Sequence, residues 1–245
     1  VRFRHAPELR AAHPGLAAGV VAADGVGLEA VADRRGIDER FAADQHAALE
    51  RLAVDGPGQQ PEIQAWRRAF AAMGLKPTQY RCAAESLLRR LAKAGDLPRI
   101  HPLVDLCNAA SAAAAIPVAV IDRDRVVGDL EVRYARGDEE YATFVGEIEH
   151  PAAGEVIFAD DAGRAHARRW THKQSGWSTV RPSTSRVLIV AEALHDGAGD
   201  DVSALVARLA GDIERFWPAA PHRAVLTSQR PELQVDDPAT TTRAR

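Results

Sequence analysis

Lysine is almost missing from this chain: Lys76, Lys93 and Lys173 are the whole complement, so nearly all positive charge is arginine. The guanidinium fork suits phosphate better than an ammonium does, but a formal net charge of −3 excludes a global basic field. Any RNA contact has to use local patches. Cysteine is equally scarce. Cys82 and Cys107 stand far apart, both in expected helices, and fit reduced core positions better than a disulfide or a metal knuckle. No apolar run approaches the roughly 20 residues that span a bilayer. Residues 1–30 lack a basic start followed by an uninterrupted apolar core, and the expectation is a cytoplasmic protein without a membrane partner. There is no G-x-S-x-G elbow, Walker loop, G-x-G-x-x-G or H-E-x-x-H. No cofactor is expected.

What is present divides by period. Leu16 to Ala22 reads as a strand closed by Asp24-Gly25. Helical spacing follows over Ile37 to Val54, Pro61 to Met73 (Ile63, Trp66 and Phe70 on one face) and Arg81 to Ala94. Thr78 precedes the last of these and Gly95 ends it. From Val126 the period becomes two, through Leu130, Val132 and Tyr134, then Val156 to Phe158, with His166 to Thr171 as an arginine-rich strand. Val187 to Ala191 reads as a buried strand and Asp201 to Phe216 as a closing amphipathic helix. Helices in the first half and strands in the second favour an α+β fold with a mostly antiparallel or mixed sheet. The expected organisation is an N-terminal extension over 1–58 packed on the same domain, the domain proper over 59–228 and a polar tail over 229–245.

The stretch from Pro98 to Asp122 combines a helix with a buried strand. His101 can cap the helix, and Pro102 sits where a first turn tolerates it. Pro117 stops it, and Val118 to Ile121 extend. Asp105, Asn108 and Ser111, three apart, form a drifting polar line. They serve either as ordinary capping and solvent-facing groups or as part of a pocket. A second constellation is Arg168, Arg169, Trp170, His172, Lys173 and Gln174. It reads either as an exposed strand end or as arginine–phosphate contacts beside a stacking tryptophan. His166 and His172 lack an evident third ligand, and no metal is expected.

The pattern LPxIxPLVDLxNxxS followed by IPVxVID, with the segments at 127–146, 154–175 and 184–194 in order, resembles the B3/B4 domain of the bacterial phenylalanyl-tRNA synthetase β-subunit in a freestanding form. That resemblance implies a domain that removes a wrongly attached amino acid, chiefly tyrosine, from tRNA. It implies that Asn108 lines the amino-acid pocket, and makes it the candidate positioning residue in catalysis. Ala119 stands where the synthetase pocket has a histidine, and Gln174 where it has a glutamate that reads the tyrosine hydroxyl. Both departures leave amino-acid specificity open. Glu155 reads either as a pocket-edge or ribose-facing carboxylate or as a hairpin carboxylate facing water. The resulting expectation is a tRNA-binding protein that deacylates a mischarged acceptor end in trans. Asp105, Ser111, Ala119, Glu155, Trp170, His172 and Gln174 would face substrate, and Arg168, Arg169 and Lys173 would face RNA. No DNA partner is expected. A non-catalytic RNA- or small-ligand-binding module is the alternative.

Overall fold

The computed structural model describes residues 1–235. The chain opens with strand β1 (Arg2–His5), helix α1 (Pro7–Ala12) and β2 (Ala17–Asp24). Four helices follow: α2 (Arg34–Val54), α3 (Pro61–Ala72), α4 (Ala83–Ala94) and α5 (Pro102–Ala114). Strands then dominate: β3 (Val118–Asp122), β4 (Leu130–Tyr134), β5 (Tyr141–Ala142), β6 (Ile148–Glu149), β7 (Val156–Asp160), β8 (Ala165–Arg168), β9 (Lys173–Gln174) and β10 (Arg186–Ala193). Helix α6 (Ala198–Phe216), β11 (His222–Leu226) and β12 (Glu232–Gln234) close the described chain. The fold is α+β, with helices mostly in the first half and strands mostly in the second.

Local chemistry explains the boundaries. His101 Nδ1 accepts the Leu103 N–H at 3.3 Å, and Pro102 occupies the first turn of α5, where its missing donor costs nothing. At the other end Ala115 takes a left-handed φ of 54° ahead of Pro117. Helix α4 starts from Cys82, whose Sγ accepts the Glu85 N–H, close to the expected start at Arg81. It ends at Gly95, whose φ of 77° favours a residue without a Cβ. Burial pushes the Cys82 and Cys107 thiols up to about 12, which suits core positions.

The strands form two main sheets. One runs β12-β1-β4-β7-β8-β9, antiparallel except for the β1–β4 pair; the other runs β11-β2-β10-β3, antiparallel throughout. Strands β5 and β6 make a small separate ribbon. Strand β10 alternates between two cores. Leu188 and Val190 join the cluster containing Trp66, Phe70 and Trp170, while Val187, Ile189 and Ala191 join the one under α5 and α6. Gly19 on β2 lets α6 approach, since a Cβ there would meet Val206 Cγ1 at 2.6 Å and Val202 Cγ1 at 2.7 Å.

Residues 1–58, expected as an extension packed on the same domain, supply strands to both sheets: β1 lies inside the six-stranded sheet, and β2 is flanked by β11 and β10 in the other. The polar tail begins later than expected, because β12 pairs with β1 and buries Leu233 and Val235; residues 236–245 of that expected tail lie outside the described residues. The arginine-rich strand stops at Arg168 instead of reaching Thr171. Past that point the backbone reverses.

Candidate functional site

Arg169 and Trp170 both adopt left-handed backbone, with φ of 48° and 57°. Such a conformation costs a non-glycine residue about 1–2 kcal/mol, and it persists only where the surroundings over-determine it. Here they do. Glu155 Oε1 accepts the Arg169 N–H at 2.9 Å, and the Val156 carbonyl accepts the Trp170 N–H at 2.7 Å. The Trp170 indole N–H reaches Glu192 Oε1 at 2.9 Å. The turn thereby drives the Trp170 ring inward, fully buried, against Trp66 and His13.

A cleft opens over this turn, where β3, one edge of the four-stranded sheet, meets β9, one edge of the six-stranded sheet. Ala119 and Val118 form one wall, Phe158 and Ala167 another, and Trp170, Thr171, His172 and Gln174 the turn side. Val190 and Glu192 of β10 also line it. Its volume is about 60 Å³, room for on the order of four waters or a small side chain. Larger hollows of about 290 and 480 Å³ lie elsewhere and are more open to solvent, and another of about 190 Å³ is ringed by Arg34, Asp38 and Arg99. The first contains charges that already have partners, Arg51 with Glu62 and Arg208 with Asp44.

Gln174 closes the seam between the sheets. Its side-chain amide donates to the Val120 carbonyl at 2.7 Å, and the Tyr141 hydroxyl donates to the Gln174 carbonyl at 2.8 Å. Burial pushes that phenol up to about 12. His172 Nδ1 lies 2.7 Å from the Arg81 carbonyl and 3.3 Å from the Arg81 nitrogen. The shorter contact makes Nδ1 the donor and leaves the lone pair on Nε2. Burial chiefly, and then the positive charges of Arg169, Lys173 and Arg168, hold this imidazole below its ordinary pKa. It is a neutral base at physiological pH. Beside it the Thr171 hydroxyl is buried and has no hydrogen-bond partner among the described residues, a costly state for a polar group. The rim above is basic and aromatic: the Arg169 guanidinium lies 4.7 Å over the Tyr80 ring, which meets the His172 ring edge-on at 5.4 Å. Lys173 is exposed there.

Of the residues singled out from sequence, Ala119, Trp170, His172, Lys173 and Gln174 converge on this cleft. Asp105, Asn108, Ser111, Glu155, Arg168 and Arg169 are not in its lining. Asp105 accepts the Ile100 and His101 N–H groups at 2.7 and 3.2 Å, and Ser111 donates to the Ile116 carbonyl at 2.6 Å. Both hold the ends of α5. Asn108 is half-buried between them. Arg168 is buried and engaged with Glu155 and Glu149, so it is unavailable to a phosphate. Glu155 is its clamp. Burial works to raise that carboxyl, but the bonds and charge of Arg168 and Arg169 outweigh it and hold it below the usual carboxylate range. Trp170 is a floor rather than a stacking platform. Two residues escaped the sequence reading, Thr171 and Glu192. The signal for Glu192 was present: one acid in the apolar run Val187 to Leu194, a residue beyond where the buried strand was expected to end.

The family model described as the B3/4 domain matches residues 65–203, more than half of the chain. No curated protein matches. Among solved structures, an N-terminal fragment of the phenylalanyl-tRNA synthetase β-subunit from Pyrococcus horikoshii is similar at 8% identity and a TM-score of 0.42. The match covers 92% of this chain and 54% of that one.

Proposed function

The chain belongs to the B3/4 domain family, and from that premise we propose that it binds tRNA and hydrolyses the ester of a mischarged aminoacyl end in trans. The observation that carries this reading is that a neutral imidazole and an unpartnered hydroxyl line one walled cleft beneath a basic, aromatic rim. The aminoacyl side chain enters the cleft against Ala119 and Trp170. The terminal ribose rests on the rim, with Arg169 and Lys173 toward phosphate. Water attacks the acyl carbon while His172 Nε2 accepts its proton. The ester C–O bond breaks, and the departing ribose oxygen takes a proton, so the products are a free amino acid and uncharged tRNA. Thr171 orients the attacking water. Positioning of this kind supplies much of the acceleration for an already activated ester.

Single-turnover deacylation over a panel of mischarged tRNAs tests the proposal. A hydrolysed member, with loss of about tenfold or more in His172→Ala (roughly 1.4 kcal/mol per tenfold), is the expected result. No deacylation above background by wild-type protein overturns it. One observation favours the second reading, a non-catalytic binding module: the Gln174 amide is spent on the Val120 and Ser178 carbonyls and so serves to seal the sheet edges. That reading predicts tRNA binding that weakens with salt, at a slope of about −0.7 per phosphate contact for a single strand, without turnover.

A further inference from the structure

Glu192 is an anomaly in its strand. It is 2% exposed, at the far end of the Leu188–Val190 face of β10, and it lines the cleft. Burying a carboxylate is costly unless it is bonded or paired. Its Oε1 accepts two bonds, from Trp170 Nε1 at 2.9 Å and His5 Nε2 at 2.6 Å. Behind His5, Arg10 Nη2 lies 3.4 Å from Nδ1. A guanidinium can only donate, so Nδ1 is the accepting nitrogen and the ring proton sits on Nε2, aimed at Glu192. In this tautomer the imidazole is a hydrogen-bond donor to Glu192, and the positive charge that interacts with the carboxylate is that of the half-buried Arg10 behind it. Lys173, the cation in the same lining, is exposed and lies 5.9 Å from the Tyr141 ring. The carboxylate is therefore held rigidly through one oxygen, and Oε2 takes neither bond.

A fixed anion in a small apolar cleft selects for a cation that can donate to it. We infer that Glu192 is a recognition residue for a primary ammonium group, with Oε2 as its acceptor. The small cleft restricts the compound to one with a compact ammonium-bearing centre: an α-amino acid derivative whose carboxyl is masked, as an ester or amide. A free carboxylate would place like charge beside Glu192. In the setting of the proposed function this ammonium is the α-amino group of the aminoacyl ester, and the identification as substrate, though not the binding, rests on that reading. His5, Trp170 and Arg10 act as positioning residues through Glu192.

The test uses L-alaninamide and N-acetyl-L-alaninamide as probes in calorimetric titration of the full chain. Wild-type protein is expected to bind the amide at least about tenfold more tightly than the acetylated form, a difference of about 1.4 kcal/mol. Glu192→Gln keeps a carbonyl for both donors and is expected to abolish that preference. Equal affinity of wild type for the two probes, or no binding of the amide, overturns the inference without needing any variant to fold. An unchanged preference in a folded Glu192→Gln protein overturns it as well. Failure of the catalytic reading is separately visible. Amide binding without any tRNA deacylation sinks the enzyme and leaves the ammonium site standing. Equal deacylation of aminoacyl- and N-acetylaminoacyl-tRNA sinks the site and leaves the enzyme.

Discussion

Helix α5 and the turn after β8 carry polar groups of comparable number and put them to opposite uses. Along α5, Asp105, Asn108 and Ser111 recur every three residues, and each step of three falls about 60° short of a full revolution. The line therefore winds around the helix. Its first member ties down the entering chain and its last the departing chain. In the turn, two left-handed residues reverse the backbone, and Trp170, Thr171, His172 and Gln174 all reach one cleft. Regular structure disperses closely spaced side chains; an irregular backbone held by tertiary bonds can converge them. A strained turn needs strong supports, and these are the Glu155–Arg168 clamp and the bond from Trp170 to Glu192.

The comparison is broken most severely by Trp170→Ala. It removes the largest side chain of the cleft floor, together with the donor to Glu192. A loss of about 3–5 kcal/mol is expected, measured by chemical denaturation, and the cleft should lose ligand binding with it. A loss under about 1 kcal/mol would mean that the turn does not depend on its buried ring. Next comes Ser111→Ala in α5, which orphans the buried Ile116 carbonyl. About 1–3 kcal/mol should be lost, with ligand affinity in the folded protein unchanged. A specific loss of affinity would place Ser111 in the site after all.

Acid should sharpen the contrast, because both regions contain histidines held low: His101 at α5, and His172 in the turn with His13 packed on Trp170. Burial is the first cause for each. A base whose folded pKa is depressed contributes stability that is present above its unfolded value, near 6.5, and lost as pH falls through the folded value. Stability should therefore decline as pH is lowered from 7 toward 5. In His172→Asn the decline should be shallower, with the His101 and His13 parts remaining. A variant with the full wild-type slope would show that His172 is not held neutral. The smallest effect is expected for Asn108→Ala: within about 0.5 kcal/mol in stability and no change in binding or turnover. A tenfold loss of turnover at unchanged stability would restore Asn108 to catalysis against the cleft geometry.

Much of the fold was legible in the residues themselves, since it follows from short-range rules. Pro102 and His101 start α5, Gly95 ends α4, and Ile63, Trp66 and Phe70 mark the inner face of α3, each through spacing or backbone chemistry within a few residues. The family was legible too, because its motifs occur in order along the chain, and the turn residues Trp170, His172 and Gln174 were recognisable as a constellation. Their convergence was not. It depends on left-handed dihedrals at Arg169 and Trp170, which neither side chain favours intrinsically, and these are imposed by Glu155 and Val156 from the neighbouring strand. Equally, no local pattern could set β1 beside both β4 and β12, or bring His5 of the first strand to Glu192 of the tenth. Local sequence determined which segments could be helix or strand. Only tertiary packing decided which polar groups would be buried together, because the energy of a buried charge depends on partners that lie up to 187 positions away.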